Sequence, residues 1–219
     1  MARIVVTGGN RGIGLELVRQ LMARGDEVIV ACRKSSPELE ATGAEIHQNV
    51  ELTEDDSVAA FAGSLAGKID ILINNAGILT SESLDDLDFE RMRRQYEVNA
   101  LAPLRVTRAL LPKINQGGKV AIVTSRVGSM ADNGSGGNYG YRMSKAAANM
   151  AGVNLAHDLK PQGITVVLLH PGYVRTGMTG GNGMIDADES AAGLIKRIDE
   201  ADMDRTGTFW HAEGYELPW

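Results

Sequence analysis

Tyr141 and Lys145 stand four residues apart in Tyr141-Arg142-Met143-Ser144-Lys145. On a helix that spacing sets both side chains on one face. A tyrosine hydroxyl can give a proton to a developing alkoxide, although its ordinary pKa of about 10 suits neutral pH poorly. A cation one turn away favours tyrosinate and lowers that pKa. The pair therefore has the makings of a general acid/base, Tyr141, and its tuning group, Lys145. Tyr139 has Met143, not a cation, four residues on, which suits a packing or substrate-side role. Ser125 precedes Tyr141 by sixteen residues and closes an apolar run, with Thr124 and Ser129 as neighbouring hydroxyls. Asn99 lies further upstream in Glu97-Val98-Asn99-Ala100.

Hydride chemistry needs a redox cofactor, and the first residues offer a place for one. Thr7-Gly8-Gly9-Asn10-Arg11-Gly12-Ile13-Gly14 spaces Gly8, Gly12 and Gly14 as G-x-x-x-G-x-G between a strand and a helix. Glycines there permit a sharp turn and close approach of backbone to a pyrophosphate, and the helix N-terminus offers free N–H groups to the anion. Asn10, Arg11 and Ile13 belong to the same turn and are counted with it. An acid at the end of the second strand would bind a ribose 2′-hydroxyl. Here that strand ends Ala31-Cys32-Arg33-Lys34. Arg33 can instead meet a 2′-phosphate, so NADP(H) is expected over NAD(H).

Elements that position these groups can be read from hydrophobic patterning. Short apolar runs at Ile4–Val6, Val28–Ala31, Ile71–Ile73, Val120–Val123 and Thr165–Leu169 read as strands, with a weaker one at Glu45–Gln48. Helical patterns fall between them: Gly12–Ala23, Asp55–Leu65, a long region from about Phe89 to Ile114, and Tyr141–Leu159. Fully apolar strands require a sheet covered on both faces. The alternation predicts one α/β domain over residues 1–219, a doubly wound (Rossmann-type) parallel sheet with helices on both faces. The glycine-rich loops Gly128–Gly140 and Gly177–Gly183 follow strands, at the end of the sheet where ligands bind.

Together, the glycine spacing, Asn74-Asn75-Ala76-Gly77, Asn99, Ser125 and the Tyr141/Lys145 pair resemble the short-chain dehydrogenase/reductase family, conventional branch, over nearly the whole chain. The resemblance implies that Ser125 hydrogen-bonds the substrate oxygen. It also implies that Asn99 helps hold a proton-relay water to the lysine, and that Lys145 binds the nicotinamide ribose. Arg11 falls where NADP-using relatives often carry a second basic residue. Asn75, Ala76 and Gly77 would flank the adenosine ribose, and Glu51 and Leu52 the adenine, with Glu51 where relatives usually have Asp. Pro171, Gly172, Val174 and Thr176 resemble the nicotinamide-side motif, with Val174 and Thr176 at the carboxamide. The expected activity is hydride transfer between NADP(H) and a small carbonyl or alcohol. The alternative is a nucleotide-binding regulatory or signalling protein with weak turnover.

About a dozen residues separate Thr176 from a helix near Asp188, where many relatives carry a helical lid. The expectation is an open site, promiscuous or completed by a partner. The tail Gly207–Trp219 reads as a strand and a turn, with Trp219 as a packing anchor, and is similar to the C-factor-like subgroup. Leucines and alanines on the two long helical segments suit a homodimer.

A net charge of −6 argues against nucleic acid or an anionic membrane as main partner. No apolar run approaches the ~20 residues of a membrane span. The single cysteine, Cys32, forms no internal disulfide and suits a reducing compartment. With no leader pattern, the expectation is a soluble cytoplasmic protein. No His, Cys or Asp cluster has metal-ligand spacing, so no metal is expected. Arg91, Arg93 and Arg94 read as a solvated helix face, and His211 as isolated.

Overall fold

The computed structural model describes all residues, 1–219. Seven strands form one parallel sheet: β1 (Arg3–Thr7), β2 (Glu27–Ala31), β3 (Glu45–His47), β4 (Ile69–Asn74), β5 (Ile114–Val123), β6 (Thr165–His170) and β7 (Thr208–His211). Their order is β3-β2-β1-β4-β5-β6-β7. The order reverses between β1 and β4, which opens a crevice at the carboxyl ends of those strands.

The helices are α1 (Gly12–Ala23), α2 (Pro37–Glu40), α3 (Asp55–Ser64), α4 (Phe89–Tyr96), α5 (Ala102–Leu110), α6 (Tyr139–Leu159) and α7 (Ala187–Glu200). Strand residues alternate between faces. In β1, Ile4 and Val6 join the core under α1 and α7, while Val5 joins the core under α3 and α5. Burying one such side chain stabilises the fold by about 1.5–3 kcal/mol. The apolar strands are thus explained by two cores, one on each face.

Four features differ from the expectation. The long helical region breaks into α4, a π-turn over Glu97–Leu101, α5 and a 3-10 turn over Leu111–Lys113. Ile114 opens β5 rather than ending a helix, and pairs with Ile69 before an irregularity in register. Pro112 cuts the helix, and Gly117 adopts φ +80°, which ordinary strand residues avoid. α2 was not anticipated, yet Ser36 caps it by accepting from Leu39 N at 3.2 Å, with Pro37 in its first turn. α6 starts at Tyr139, so Tyr139 and Tyr141 share its first turn.

The tail forms the expected strand and turn. β7 pairs with β6, and the chain folds back so that Leu217 N donates to Phe209 O at 2.7 Å. Trp219 stacks on Phe209 with ring centroids 5.4 Å apart, as an anchor should.

Candidate active site

A cavity of about 600 Å³ occupies the crevice between β1 and β4. That volume suits a nucleotide-sized ligand. Gly8, Asn10, Arg11, Gly12, Ile13 and Gly14 form one wall. Gly8 has φ +71°, and a Cβ there would stand 2.9 Å from Ala76 Cα, so only glycine lets the two loops touch. Asn75 fastens them: its Nδ2 donates to Thr7 O (3.0 Å) and Gly8 O (3.1 Å). Asn10 Nδ2 donates to Lys34 O at 3.0 Å, binding the glycine loop to the end of β2. α1 begins with no side-chain cap and no acid in its first turn. Its leading N–H groups are therefore left for a ligand, and the glycine turn beside them fits a dinucleotide's phosphates.

Arg11, Arg33 and Lys34 line the nucleotide end of the cavity. No carboxylate lies within ion-pair distance of Arg11 or Lys34, and Arg33 has only a loose contact with Glu51 at 3.9 Å. Glu51 is otherwise engaged, accepting from Thr53 Oγ1 at 3.0 Å. Leu52, Asn75 and Ala76 complete this end, whereas Gly77 lies toward the other, where a Cβ would stand 3.2 Å from Asn99 Oδ1 and 3.7 Å from Lys145 Nζ.

At the other end, Tyr141 and Lys145 line the cavity from α6. Lys145 is buried and donates through Nζ to Val123 O at 3.0 Å. Its Nζ lies 5.7 Å from the Tyr141 ring centroid. Burial pulls the Lys145 ammonium down to about 8 and pushes the Tyr141 phenol up to about 12, against the lowering effect of its hydrogen bond with Ser125. On Tyr141 the balance is between burial, which raises the phenol, and the Ser125 hydrogen bond, which lowers it.

Among the three hydroxyls, Ser125 meets Tyr141. Thr124 Oγ1 donates to Asn149 Oδ1 at 2.6 Å, and Ser129 Oγ accepts from Asp132 N at 3.1 Å. Asn99 sits buried in the π-turn. Its Oδ1 accepts from Ile78 N (2.9 Å), and its Nδ2 donates to Ile78 O (2.9 Å) and Ser144 Oγ (3.0 Å). Through these three hydrogen bonds the side chain ties the loop after β4 to α6.

On the nicotinamide-side motif, Pro171 and Thr176 line the cavity. Gly172 and Val174 do not: Val174 is buried and its carbonyl accepts from Thr179 Oγ1 at 2.9 Å. The following loop holds one 3-10 turn, Gly177–Thr179, and no α-helix before α7. No helical lid covers Tyr141.

Two groups escaped the sequence reading. Glu82 is buried against the start of α6, where its Oε2 accepts from Gly140 N at 3.2 Å; its Oε1 accepts from Thr80 Oγ1 (2.5 Å) and Gln95 Nε2 (3.0 Å). A side chain on Gly140 would overlap the Gln95 amide and stand 2.9 Å from Met92 Cγ. Only the spacing of Glu82 from α6 in three dimensions reveals this brace, which sits next to Tyr141. His170 and His211 form the other group, with ring centroids 4.8 Å apart, and His211 stacks on Tyr215 at 4.6 Å. Burial, with the positive neighbours His211, Arg126 and Lys145, pulls His170 down to about 3. His211 is therefore not isolated.

No group of His, Cys, Asp and Glu side chains is arranged to hold a metal ion. No helix is long and apolar enough to cross a membrane.

The family model described as short chain dehydrogenase matches residues 2–184. Over 226 aligned residues the chain is 44% identical to 1-hydroxy-2-glutathionyl-2-methyl-3-butene dehydrogenase of Rhodococcus sp. (strain AD45), covering 100% of both chains. It is 47% identical to C-signal of Myxococcus xanthus over 73% of this chain and 99% of that one. Among solved structures, an NADPH-bound carbonyl reductase from chicken fatty liver superposes with a TM-score of 0.92 at 29% identity, over 100% of this chain and 99% of that one.

Proposed function

The chain belongs to the short chain dehydrogenase family, and we propose that it is an NADP(H)-dependent carbonyl reductase with Tyr141 as its general acid. The observation that carries this reading is the group of half-buried Tyr141 with buried Ser125 and Lys145 at one end of a cleft whose other end presents Arg11, Arg33 and Lys34. The NADPH-bound carbonyl reductase with the same fold supports the cofactor assignment.

The glycine loop and the free N–H groups of α1 hold the diphosphate. Arg33 and Arg11 meet the 2′-phosphate, and Leu52 and Ala76 pack against the adenosine. When bound, the nicotinamide supplies a hydride to the carbonyl carbon and is itself oxidised. Ser125 orients the carbonyl oxygen, and Tyr141 gives that oxygen its proton as the C–O bond acquires alkoxide character. A phenol raised to about 12 holds its proton at neutral pH and so has it to give. Lys145 keeps positive charge beside Tyr141 and lies within reach of a ribose. Asn99 and Glu82 are positioning residues that fix α6. The open loop after Thr176 admits substrates of varied size, and half-buried Leu101, Leu104 and Leu111 around α5 with exposed Met150 on α6 support a homodimer through these helices.

The likeness to C-signal favours a second reading, a regulatory or signalling protein that binds the nucleotide with little turnover. One experiment separates the two. NADPH and NADH are titrated by fluorescence, and carbonyl turnover is compared between the wild type and Tyr141→Phe. The enzyme reading expects tighter NADPH than NADH binding and a loss of about 10²–10⁴-fold in turnover on substitution, with NADPH binding retained. Full activity in Tyr141→Phe refutes the assignment of the acid. NADPH binding without turnover of any aldehyde, ketone or glutathione-conjugated alcohol moves the protein to the second reading.

A further inference from the structure

The cavity wall holds five cations, Arg11, Arg33, Lys34, Arg94 and Lys145, and one carboxylate, Glu51. In a chain of net charge −6 this concentration singles out a polyanionic ligand. Four of the five belong to the site described above. Arg94 does not: it comes from α4, which follows β4, on the far side of the switch point from Arg33.

The arginines of α4 divide by partner. Arg91 pairs with Asp88 at 3.0 Å, and Arg93 pairs with Glu90. The Arg94 side chain has no carboxylate within ion-pair distance and makes no hydrogen bond, and it is exposed. It stands four residues before Val98, so the two share the helix face that turns to the cleft. Both line the cavity with Ile78, Gly177 and Met178. Glu51, the one acid of the wall, is on the opposite side at the end of the β3 segment and is held by Thr53.

We propose that Arg94 is a cofactor-binding residue that closes over the diphosphate from the α4 side, opposite the glycine loop. The inference rests on the dinucleotide reading above. It assigns Arg94 to the part of the ligand that NADPH and NADH share, because Arg94 lies across the switch point from the end of β2, where Arg33 and Lys34 stand. A guanidinium with five donors and no protein partner is suited to bridge phosphate oxygens.

The test compares Arg94→Gln with Arg93→Gln, which removes the same charge from the same helix at a residue engaged with Glu90. NADPH and NADH dissociation constants are measured by nicotinamide fluorescence at low and moderate salt. Arg94→Gln is expected to weaken both dinucleotides by about tenfold, by a similar factor, and to flatten the salt dependence. Arg93→Gln is expected to change neither by more than about twofold. Unchanged binding in Arg94→Gln overturns the proposal while leaving the cofactor reading intact. A loss confined to NADPH overturns the diphosphate assignment, and equal losses in both variants reduce the effect to overall charge. A wild-type protein that binds neither dinucleotide overturns this proposal and the cofactor reading together.

Discussion

The two ends of the cleft use opposite physics. At the reacting end, Lys145, Asn99, Ser125 and Glu82 are buried, and each polar group has a protein partner at hydrogen-bond distance. At the nucleotide end, Arg11, Arg33 and Lys34 are exposed or half-exposed and almost unpaired. Burial shifts the ionisation of Tyr141 and Lys145 by penalising charge, and the same burial makes their positions rigid. The exposed cations keep their charge and their freedom, and act on a ligand through a screened field. One end is therefore sensitive to sub-ångström packing, and the other to charge count and salt.

The largest effect expected from this contrast comes from Gly140→Ala. Its added methyl meets Gln95, Met92 and Glu82 and must push the first turn of α6, which carries Tyr141. Turnover is expected to fall on the order of 100-fold with NADPH binding changed little, because small misplacements of reacting groups are that costly. Stability is expected to fall by about 1–3 kcal/mol. Steady-state kinetics and denaturant unfolding check both, and normal turnover in a folded variant breaks the contrast at its buried end.

Lys145 sharpens it through pH. Its folded-state pKa of about 8 lies below the ordinary 10.5, so between those values the unfolded chain binds more protons than the folded one. Stability contributed at this site therefore rises with pH from about 8 to 10.5, at up to about 1.4 kcal/mol per pH unit. Lys145→Met removes the buried charge. It is expected to be more stable than wild type at pH 7, with the difference shrinking toward pH 10. Tyr141, raised to about 12, acts with the opposite sign only above pH 10. Urea midpoints at a series of pH values decide this, and a pH-independent difference removes the buried ammonium from the account.

The smallest effect belongs to the exposed end. Arg33→Ala is expected to lower the NADPH-over-NADH preference by about tenfold, with turnover at saturating NADPH and unfolding midpoint almost unchanged. Raising the salt concentration should shrink the wild-type preference in the same direction. A large loss of stability here would mean that the two ends are not mechanically separate.

Much of this arrangement was legible in the sequence because it is local. Glycine spacing, the Tyr141/Lys145 interval and the absence of an acid after β2 each involve residues within a turn or two, where backbone geometry fixes what meets what. Apolar runs alternating with helical patterns were enough for the parallel sheet and its two cores. The broken helix around Asn99 was not legible: a π-turn keeps the same hydrophobic period to within one residue, and tertiary contacts with Ile78 and Ser144 hold it open. Glu82 and Arg94 were invisible for a related reason. Glu82 meets Gly140 across 58 residues of chain, and Arg94 differs from Arg93 only in which side of α4 faces the cleft. The sequence by itself determined the fold class, the family and the residues proposed to carry the chemistry, since short-range spacing and hydrophobic period encode them. Only the tertiary structure decided which charges are buried, which are left unpaired and what braces the reacting helix, because desolvation and packing arise from neighbours that are distant along the chain.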